Sequence, residues 1–327
     1  MTNRRNTHPA PGRMVAIAGG TRLHVYEMGN PAGLTIILEA GICATSLNWR
    51  ALQQDLAPFA RVVAYDRAGL GWSDAAQLAR TPTQLTLELR DMLQAAEIDG
   101  PYILVGHSFG CLVVQRFTQL FSEEVAGVVL LDPLRAEEWW PLSAKKARQL
   151  RNGLRLVRRA HLLARLGIIR AGVGLYRRGL RRVPQAMEAA AGAKKTRALA
   201  RLTEQVRKLP RELWGHIATH WSDPKFFRTM ITYLEALPES AREMAEAGPL
   251  SHVPVAIVTG EKNEIVSSES IRAIARNANH IRAEKSGHWV HLDEPELVAG
   301  IIREMAENAG AHFAGSISYR LAGRFRK

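Results

Sequence analysis

Short, continuous runs of apolar residues alternate along the chain with segments of helical periodicity. The apolar runs are residues 34–38, 61–65, 102–105, 127–131 and 253–258. Runs of this length are typical of strands that are buried on both faces of a parallel sheet. The intervening helical segments are residues 46–56, 81–97, 111–121 and 268–276. This alternation predicts an α/β fold, with a mostly parallel central sheet flanked by helices. Before it, alternating residues around Gly19-Gly20 predict an antiparallel hairpin.

The alternation stops between residues 135 and 249, where the composition is helical and is interrupted by glycines and prolines. It resumes at residue 253 and ends in a predicted strand at 280–283 and a last helix at 294–308. We therefore predict a core, first part, over 1–134, a helical cap insertion over 135–250, a core, second part, over 251–310, and a basic C-terminal tail over 311–327. A cap inserted there is a candidate lid over the carboxyl ends of the strands, where such sheets hold their sites.

One motif, Gly106-His107-Ser108-Phe109-Gly110, lies where a predicted strand runs into a predicted helix. The arrangement strand, G-x-S-x-G, helix is a nucleophile elbow. The sharp turn holds the serine in a strained backbone conformation and exposes its hydroxyl at the edge of the sheet. The amides that begin the next helix point to the same place, where an oxyanion would develop. The motif therefore predicts Ser108 as a catalytic nucleophile.

Three further motifs occur in order along the chain, apart from the cap and the tail. They are Leu38-Glu39-Ala40-Gly41, the glycine-rich stretch Tyr65-Asp66-Arg67-Ala68-Gly69-Leu70-Gly71-Trp72-Ser73, and Ser286-Gly287-His288. With the elbow, they resemble the α/β-hydrolase fold superfamily, in particular its serine esterase- or lipase-like members with a helical cap. That superfamily places its catalytic base in the loop after the last strand. The resemblance therefore implies that His288 is the base that activates Ser108.

The acid that would orient this base is open on sequence alone. The residue that aligns with the superfamily's usual aspartate is Asn263, whose amide cannot stabilise an imidazolium with a full charge. Asp132, at the end of the preceding strand, is the first candidate because some members of the fold use that position. Glu264 is the alternative acid, and an orienting Asn263 or no acid at all stays a third interpretation.

The resemblance also implies an oxyanion hole made by two backbone amides, those of Ile42 and Phe109. Dehalogenases and epoxide hydrolases of this fold use an aspartate as nucleophile, so Ser108 points to acyl transfer to water. We expect a serine hydrolase of carboxylic esters, with acyl lipids as one substrate class. Other acyl chemistry on the same triad (amide, lactone or carbon–carbon bond hydrolysis, or a perhydrolase) is the alternative. A competing hypothesis, in which the protein is not an enzyme, is a non-catalytic, membrane-associated scaffold of the same fold.

The net charge of +13 is concentrated in the predicted cap. Between Trp139 and Met187 no acidic residue interrupts the lysines and arginines, and residues 150–169 have the spacing of an amphipathic basic helix. One interpretation is a lid helix with its arginines in solvent. The other is a helix that contacts an anionic membrane surface. Nucleic acid is the weakest alternative, because no binding fold and no interleaved aromatic residues accompany the arginines.

Several features that the sequence lacks limit the remaining expectations. No run of about 18 apolar residues predicts a spanning helix, and residues 1–13 lack the apolar segment of a signal peptide. The two cysteines make no disulfide framework, and no Cys/His spacing suggests a metal site. The expected location is cytoplasmic, with peripheral membrane association as the alternative. We expect no cofactor and no metal, and a small-molecule ester as the binding partner.

Overall fold

The computed structural model describes residues 11–177, 205–261 and 267–324. Its strands are β1 (Arg13–Ala16), β2 (Arg22–Gly29), β3 (Thr35–Glu39), β4 (Arg61–Asp66), β5 (Tyr102–His107), β6 (Val125–Leu131), β7 (Val255–Gly260) and β8 (Ala278–Ala283). They form one sheet in the order β1-β2-β4-β3-β5-β6-β7-β8. β2 pairs antiparallel with β1 and β4, and every other neighbouring pair is parallel. The prediction of a mostly parallel sheet behind an N-terminal hairpin is confirmed.

The described helices cover both faces of this sheet. They are α1 (Arg50–Leu56), α2 (Pro82–Ala95), α3 (Gly110–Leu120), α4 (Ala144–Arg165), α5 (Ile168–Arg177), α6 (Trp214–Trp221), α7 (Pro224–Ala247), α8 (Ser268–Ile274), α9 (Val290–Asp293) and α10 (Pro295–Arg324). Successive residues of a strand point to opposite faces, so Ile37 packs with α2 and α3 while its neighbours Ile36 and Leu38 pack with α1 and α10. This two-sided burial explains the continuous apolar runs. α10 continues to Arg324, into the residues that the sequence assigned to a tail.

The register of the parallel strands brings their carboxyl ends to one edge of the sheet. Glu39 of β3 lies opposite Gly106 of β5, and His107 lies opposite Leu131 of β6. Leu131 in turn lies opposite Val258 of β7. The loops after β3, β5, β6 and β8 therefore emerge together, and they carry all the described residues to which the sequence assigned a catalytic role.

α4 to α7 lie between β6 and β7 in the chain, within the predicted cap. α4 packs along α7, and α7 is held against the glycine-rich loop that follows β4. Thr229 of α7 donates a hydrogen bond to the carbonyl of Gly69 at 3.1 Å, and the Lys225 ammonium donates to the carbonyls of Gly71 and Ser73 at 3.0 and 2.5 Å. These contacts join the cap to the core beside the carboxyl ends of the strands. No described helix is both long and apolar enough to cross a bilayer.

Candidate active site

Ser108 sits at the turn between β5 and α3 with a φ angle of 53°, in the left-handed region that non-glycine residues rarely occupy. The strained turn expected of a nucleophile elbow is thus present at this residue. The start of α3 lies directly against the end of β3, since a Cβ atom on Gly110 would be 2.4 Å from the carbonyl oxygen of Glu39 and 2.6 Å from that of Ala40. Only glycine permits this approach, which brings the elbow against the loop that follows β3.

Asp132 follows β6 and also has a positive φ angle, 46°. Its amide donates to the carbonyl of Val258 at 2.7 Å, while the amide of Ser108 donates to the carbonyl of Leu131 at 2.9 Å. The backbone of Ser108 is therefore fixed to the end of β6, and that of Asp132, which follows β6, is fixed to β7. The side chain of Asp132 is only 13% exposed.

His288 lies in the loop between β8 and α9, and its imidazole reaches the carboxylate of Asp132. Nδ1 of His288 and Oδ2 of Asp132 are 2.5 Å apart, although the two residues are separated by 156 positions in the chain. An ionised carboxylate only accepts hydrogen bonds, so Nδ1 carries the proton and, in the neutral ring, Nε2 is left as the basic nitrogen. Asn263 and the alternative acid Glu264 lie outside the described residues.

His107 holds the loop of His288 in place. Its Nε2–H donates to the backbone carbonyl of His288 at 2.8 Å, and its ring packs on those of His288, Trp289 and His291, with centroids 4.8, 4.7 and 4.7 Å away. Burial, together with His291 and His288, lowers the pKa of His107 well below its ordinary value, so the ring is neutral. On sequence alone His107 has no assigned role. One signal in the sequence was available: His107 directly precedes Ser108 at the end of a strand. Neighbouring residues of a strand point to opposite sides, so the side chains of His107 and Ser108 are directed apart.

A second support for this loop comes from Asp293 of α9. One carboxylate oxygen accepts the amide of Gly287 at 3.0 Å, and the other lies 2.6 Å from the ammonium of Lys208 in the cap. The backbone immediately before and at His288 is therefore tied to the elbow on one side and to the cap on the other.

The two residues predicted to supply the oxyanion amides lie on the two loops that meet beside Ser108. Phe109 is buried at the start of α3, and Ile42 is half-buried in the loop after β3. The buried guanidinium of Arg67 fixes that loop by donating to the carbonyl of Ala40 at 2.9 Å and to that of Gly41. Arg67 was quoted from the sequence only as part of a fold motif, so its contact with this loop is a finding of the tertiary structure.

The cap lies directly over the same loop. Core and cap residues together line a small cavity of about 10 Å³: Cys43, Thr45, Asn48, Gln205, Ile217, His220 and Trp221. Burial raises the pKa of Cys43 to about 12, so this cysteine is a neutral thiol near pH 7. The cap therefore packs closely against the loop after β3. Because the thiol of Cys43 is neutral, Ser108 remains the candidate nucleophile. Among the described residues no group of three or more His, Cys, Asp or Glu could hold a metal ion.

A family model described as the alpha/beta hydrolase family matches residues 36–301. The chain belongs to the alpha/beta hydrolase family. Its fold agrees with that of solved members, for example the epoxide hydrolase CorEH, with a TM-score of 0.66 and 18% identity over 90% of this chain and 97% of that one. At this identity, the likeness describes the fold alone.

Two curated relatives match this alpha/beta hydrolase over shorter stretches. The uncharacterized protein YqjL of Bacillus subtilis is 34% identical over 114 residues, which is 35% of this chain and 45% of YqjL. The 2-hydroxy-6-oxo-2,4-heptadienoate hydrolase of Pseudomonas putida is 33% identical over 129 residues, 38% of this chain and 46% of that protein. This alpha/beta hydrolase therefore spans less than half the length of each of these two relatives.

Proposed function

We propose that this alpha/beta hydrolase cleaves carboxylic esters through an acyl-enzyme on Ser108. The observation that carries the proposal is the 2.5 Å hydrogen bond from Nδ1 of His288 to Asp132, formed next to a serine with a φ angle of 53° on a strand-to-helix turn. Nucleophile, base and acid are three parts of an acyl-transfer triad, and here they lie on adjoining loops at one edge of the sheet.

In the proposed reaction, Nε2 of His288 takes the hydroxyl proton as Ser108 Oγ attacks the ester carbonyl carbon. The backbone amides of Ile42 and Phe109 stabilise the negative oxygen of the tetrahedral intermediate. Its collapse breaks the bond to the alcohol oxygen, which leaves with the proton from His288, and an acyl-serine remains. Water, deprotonated by the same imidazole, then attacks the acyl carbon. The bond between that carbon and Ser108 Oγ breaks, Oγ takes the proton back from His288, and the carboxylic acid is released. Asp132 stabilises the imidazolium in both halves of the reaction.

The cap is proposed to control which acyl groups reach the serine. Ile217 and Trp221 bring apolar surface against the loop after β3, which supports acyl chains as ligands. A lipid-like ester is the finer form of the proposal. It predicts that activity rises with acyl length.

The test is hydrolysis of p-nitrophenyl esters of increasing acyl length by the wild type and by Ser108→Ala, together with covalent labelling by a fluorophosphonate. We expect the wild type to turn over and to be labelled, and Ser108→Ala to do neither. If the folded wild type shows neither turnover nor labelling, the proposal is wrong. A flat acyl-length profile would remove the lipid-like part and leave the esterase.

Carbon–carbon bond hydrolysis is a second candidate, because the relative from Pseudomonas putida is named for a dienoate substrate. The same serine would attack a ketone carbonyl instead of an ester carbonyl, and the bond that breaks would join two carbons. Loss of absorbance by 2-hydroxy-6-oxo-2,4-heptadienoate measures this reaction directly. Labelling of Ser108 combined with turnover of this acid and of no ester would favour the second candidate over the first.

A further inference from the structure

The end of α4 and the start of α5 expose a group of large apolar side chains. Leu166 is 66% exposed, Leu162 57%, Ile168 52% and Leu163 42%. The opposite face of α4 packs along α7, where Ala164 is buried and His161 donates from Nδ1 to the carbonyl of Pro224 at 3.0 Å. Leu162, Leu163, Leu166 and Ile168, which we call the α4–α5 apolar surface, thus face away from the protein. Contiguous exposed apolar groups of this kind mark interaction sites.

Exposed arginines flank this apolar surface. Arg155, Arg159, Arg165 and Arg170 are all exposed, and none of the four forms an ion pair within the described part of the chain. Arg158, by contrast, lies 2.6 Å from Glu235 of α7. The four arginines therefore present positive charge next to apolar side chains, with no acidic partner among the residues that the structure describes.

A cavity of about 430 Å³ adds further cationic groups on the side of α4 that faces α7. Arg165, Lys225 and Arg228 line it together with His161, Thr229, Pro224 and two alanines, and its described lining includes no acidic residue. The cavity lies on the opposite face of α4 from the apolar surface, so its guanidinium groups add to the positive charge of this part of the cap without being part of the apolar surface.

The charge of the neighbouring sequence limits what could cover this surface. Residues 178–204 follow α5 in the chain and carry seven basic residues but only two acids, Glu188 and Glu204. By composition this segment adds further positive charge to the same part of the chain. Charge complementarity requires an occupant that is negative and also offers an apolar interior, and an anionic phospholipid bilayer has both properties.

We propose that the α4–α5 apolar surface docks this protein on anionic phospholipid membranes, with Leu162, Leu163 and Leu166 in the acyl boundary and the flanking arginines on the lipid phosphates. An interfacial helix gains from apolar burial and from electrostatic attraction together, so either half alone gives weak binding. Each arginine near an anionic leaflet contributes about fivefold in the partition coefficient, and added salt screens this part. The surface lies on the cap, so docking would hold the cap at the lipid interface.

The test is co-sedimentation of the full-length chain with vesicles of phosphatidylcholine alone and of phosphatidylcholine mixed with phosphatidylglycerol. Ser108→Ala is used throughout, so that binding is measured without hydrolysis and does not depend on the proposed esterase. We expect sedimentation with the mixed vesicles only, and a decrease as salt is raised. Adding Leu163→Asp and Leu166→Asp should lower the partition coefficient by about tenfold or more.

Leu87→Asp is the matched control. Leu87 is 42% exposed, as Leu163 is, but it lies on α2, outside the cap. It should bind as Ser108→Ala alone does, and thermal unfolding should show all variants folded. Exchange of Arg155 and Arg159 for glutamine should weaken binding about fivefold per residue. Equal binding to both kinds of vesicle, no binding, or binding unchanged by the two aspartates would each overturn the proposal.

Discussion

Asp132→Asn tests the acid of the proposed triad with little change in shape. Asparagine has the same size and, like aspartate, tolerates the left-handed backbone that Asp132 adopts at a φ angle of 46°. The substitution removes the negative charge 2.5 Å from Nδ1 of His288. The amide either accepts from Nδ1–H without stabilising the imidazolium, or donates to Nδ1 and imposes the wrong tautomer on the base.

The expected magnitude separates a catalytic acid from a structural contact. Loss of the acid from a serine triad costs about four orders of magnitude in kcat, which corresponds to about 5 kcal/mol in the activation free energy. Loss of an ordinary hydrogen bond contributes about 0.5–1.5 kcal/mol, or at most about tenfold. We therefore expect Asp132→Asn to have a kcat of about one ten-thousandth of the wild-type value. Its KM should change far less.

The assay is steady-state hydrolysis of the best p-nitrophenyl ester, with active sites counted by fluorophosphonate labelling. Asp293→Asn is the matched control, because Asp293 supports the same loop through the amide of Gly287 but does not touch the imidazole in the contacts described. Glu264→Gln tests the alternative acid. If Asp132→Asn retains a tenth of the wild-type kcat while Glu264→Gln falls by thousands, the assignment of Asp132 is refuted.

Three further predictions concern buried side chains. His107→Phe keeps an aromatic ring but removes the donor to the carbonyl of His288, and steady-state kinetics should show kcat lowered about tenfold at nearly constant KM. Burial, and to a smaller extent His288, lowers the pKa of His291 to about 3. The unfolded chain, with a histidine pKa of about 6.5, therefore binds a proton that the folded chain does not, and this residue makes stability fall by about 1.4 kcal/mol as the pH drops to about 5.5. Denaturant titrations at neutral pH and at about pH 5.5 measure this loss of unfolding free energy. In His291→Phe the loss should be smaller than in the wild type by about 1.4 kcal/mol. Arg80→Met leaves the carboxylate of Glu88 buried without its guanidinium, and chemical denaturation should show a loss of about 3–5 kcal/mol.

Each of these three has an outcome that contradicts it. Unchanged kcat in His107→Phe would mean that the hydrogen bond to His288 does not position the base. An undiminished pH dependence in His291→Phe would place the titrating groups elsewhere. Restoration of stability in Arg80→Met by the further change Glu88→Leu is expected, because the cost arises from the unpaired charge; if stability does not recover, packing of the arginine stem is the cause.

Local patterns in the sequence determined the fold and part of the candidate site. Apolar runs report burial on two faces, so β3 and β5 were predictable without knowing their neighbours, and helical periodicity placed α2 and α3 within a few residues. Ser108 was recognisable because the elbow is a local feature, with its glycines two positions on either side. His288 was implied by the resemblance of its motif, next to a predicted strand, to the α/β-hydrolase superfamily. All of this depends on residues close together in the chain.

The tertiary structure decided which distant residues meet. On sequence alone Asp132 was the first candidate for the acid and Glu264 the alternative, and the choice stayed open. Periodicity indicates which face of an element a residue occupies, but it does not indicate which loop lies opposite. The contact of Asp132 with His288 spans 156 positions and depends on the order and register of β5, β6, β7 and β8. The same holds for the hydrogen bond of His107, which joins residues 181 positions apart. Contacts of this separation result from the packing of the whole sheet, and no local pattern encodes them.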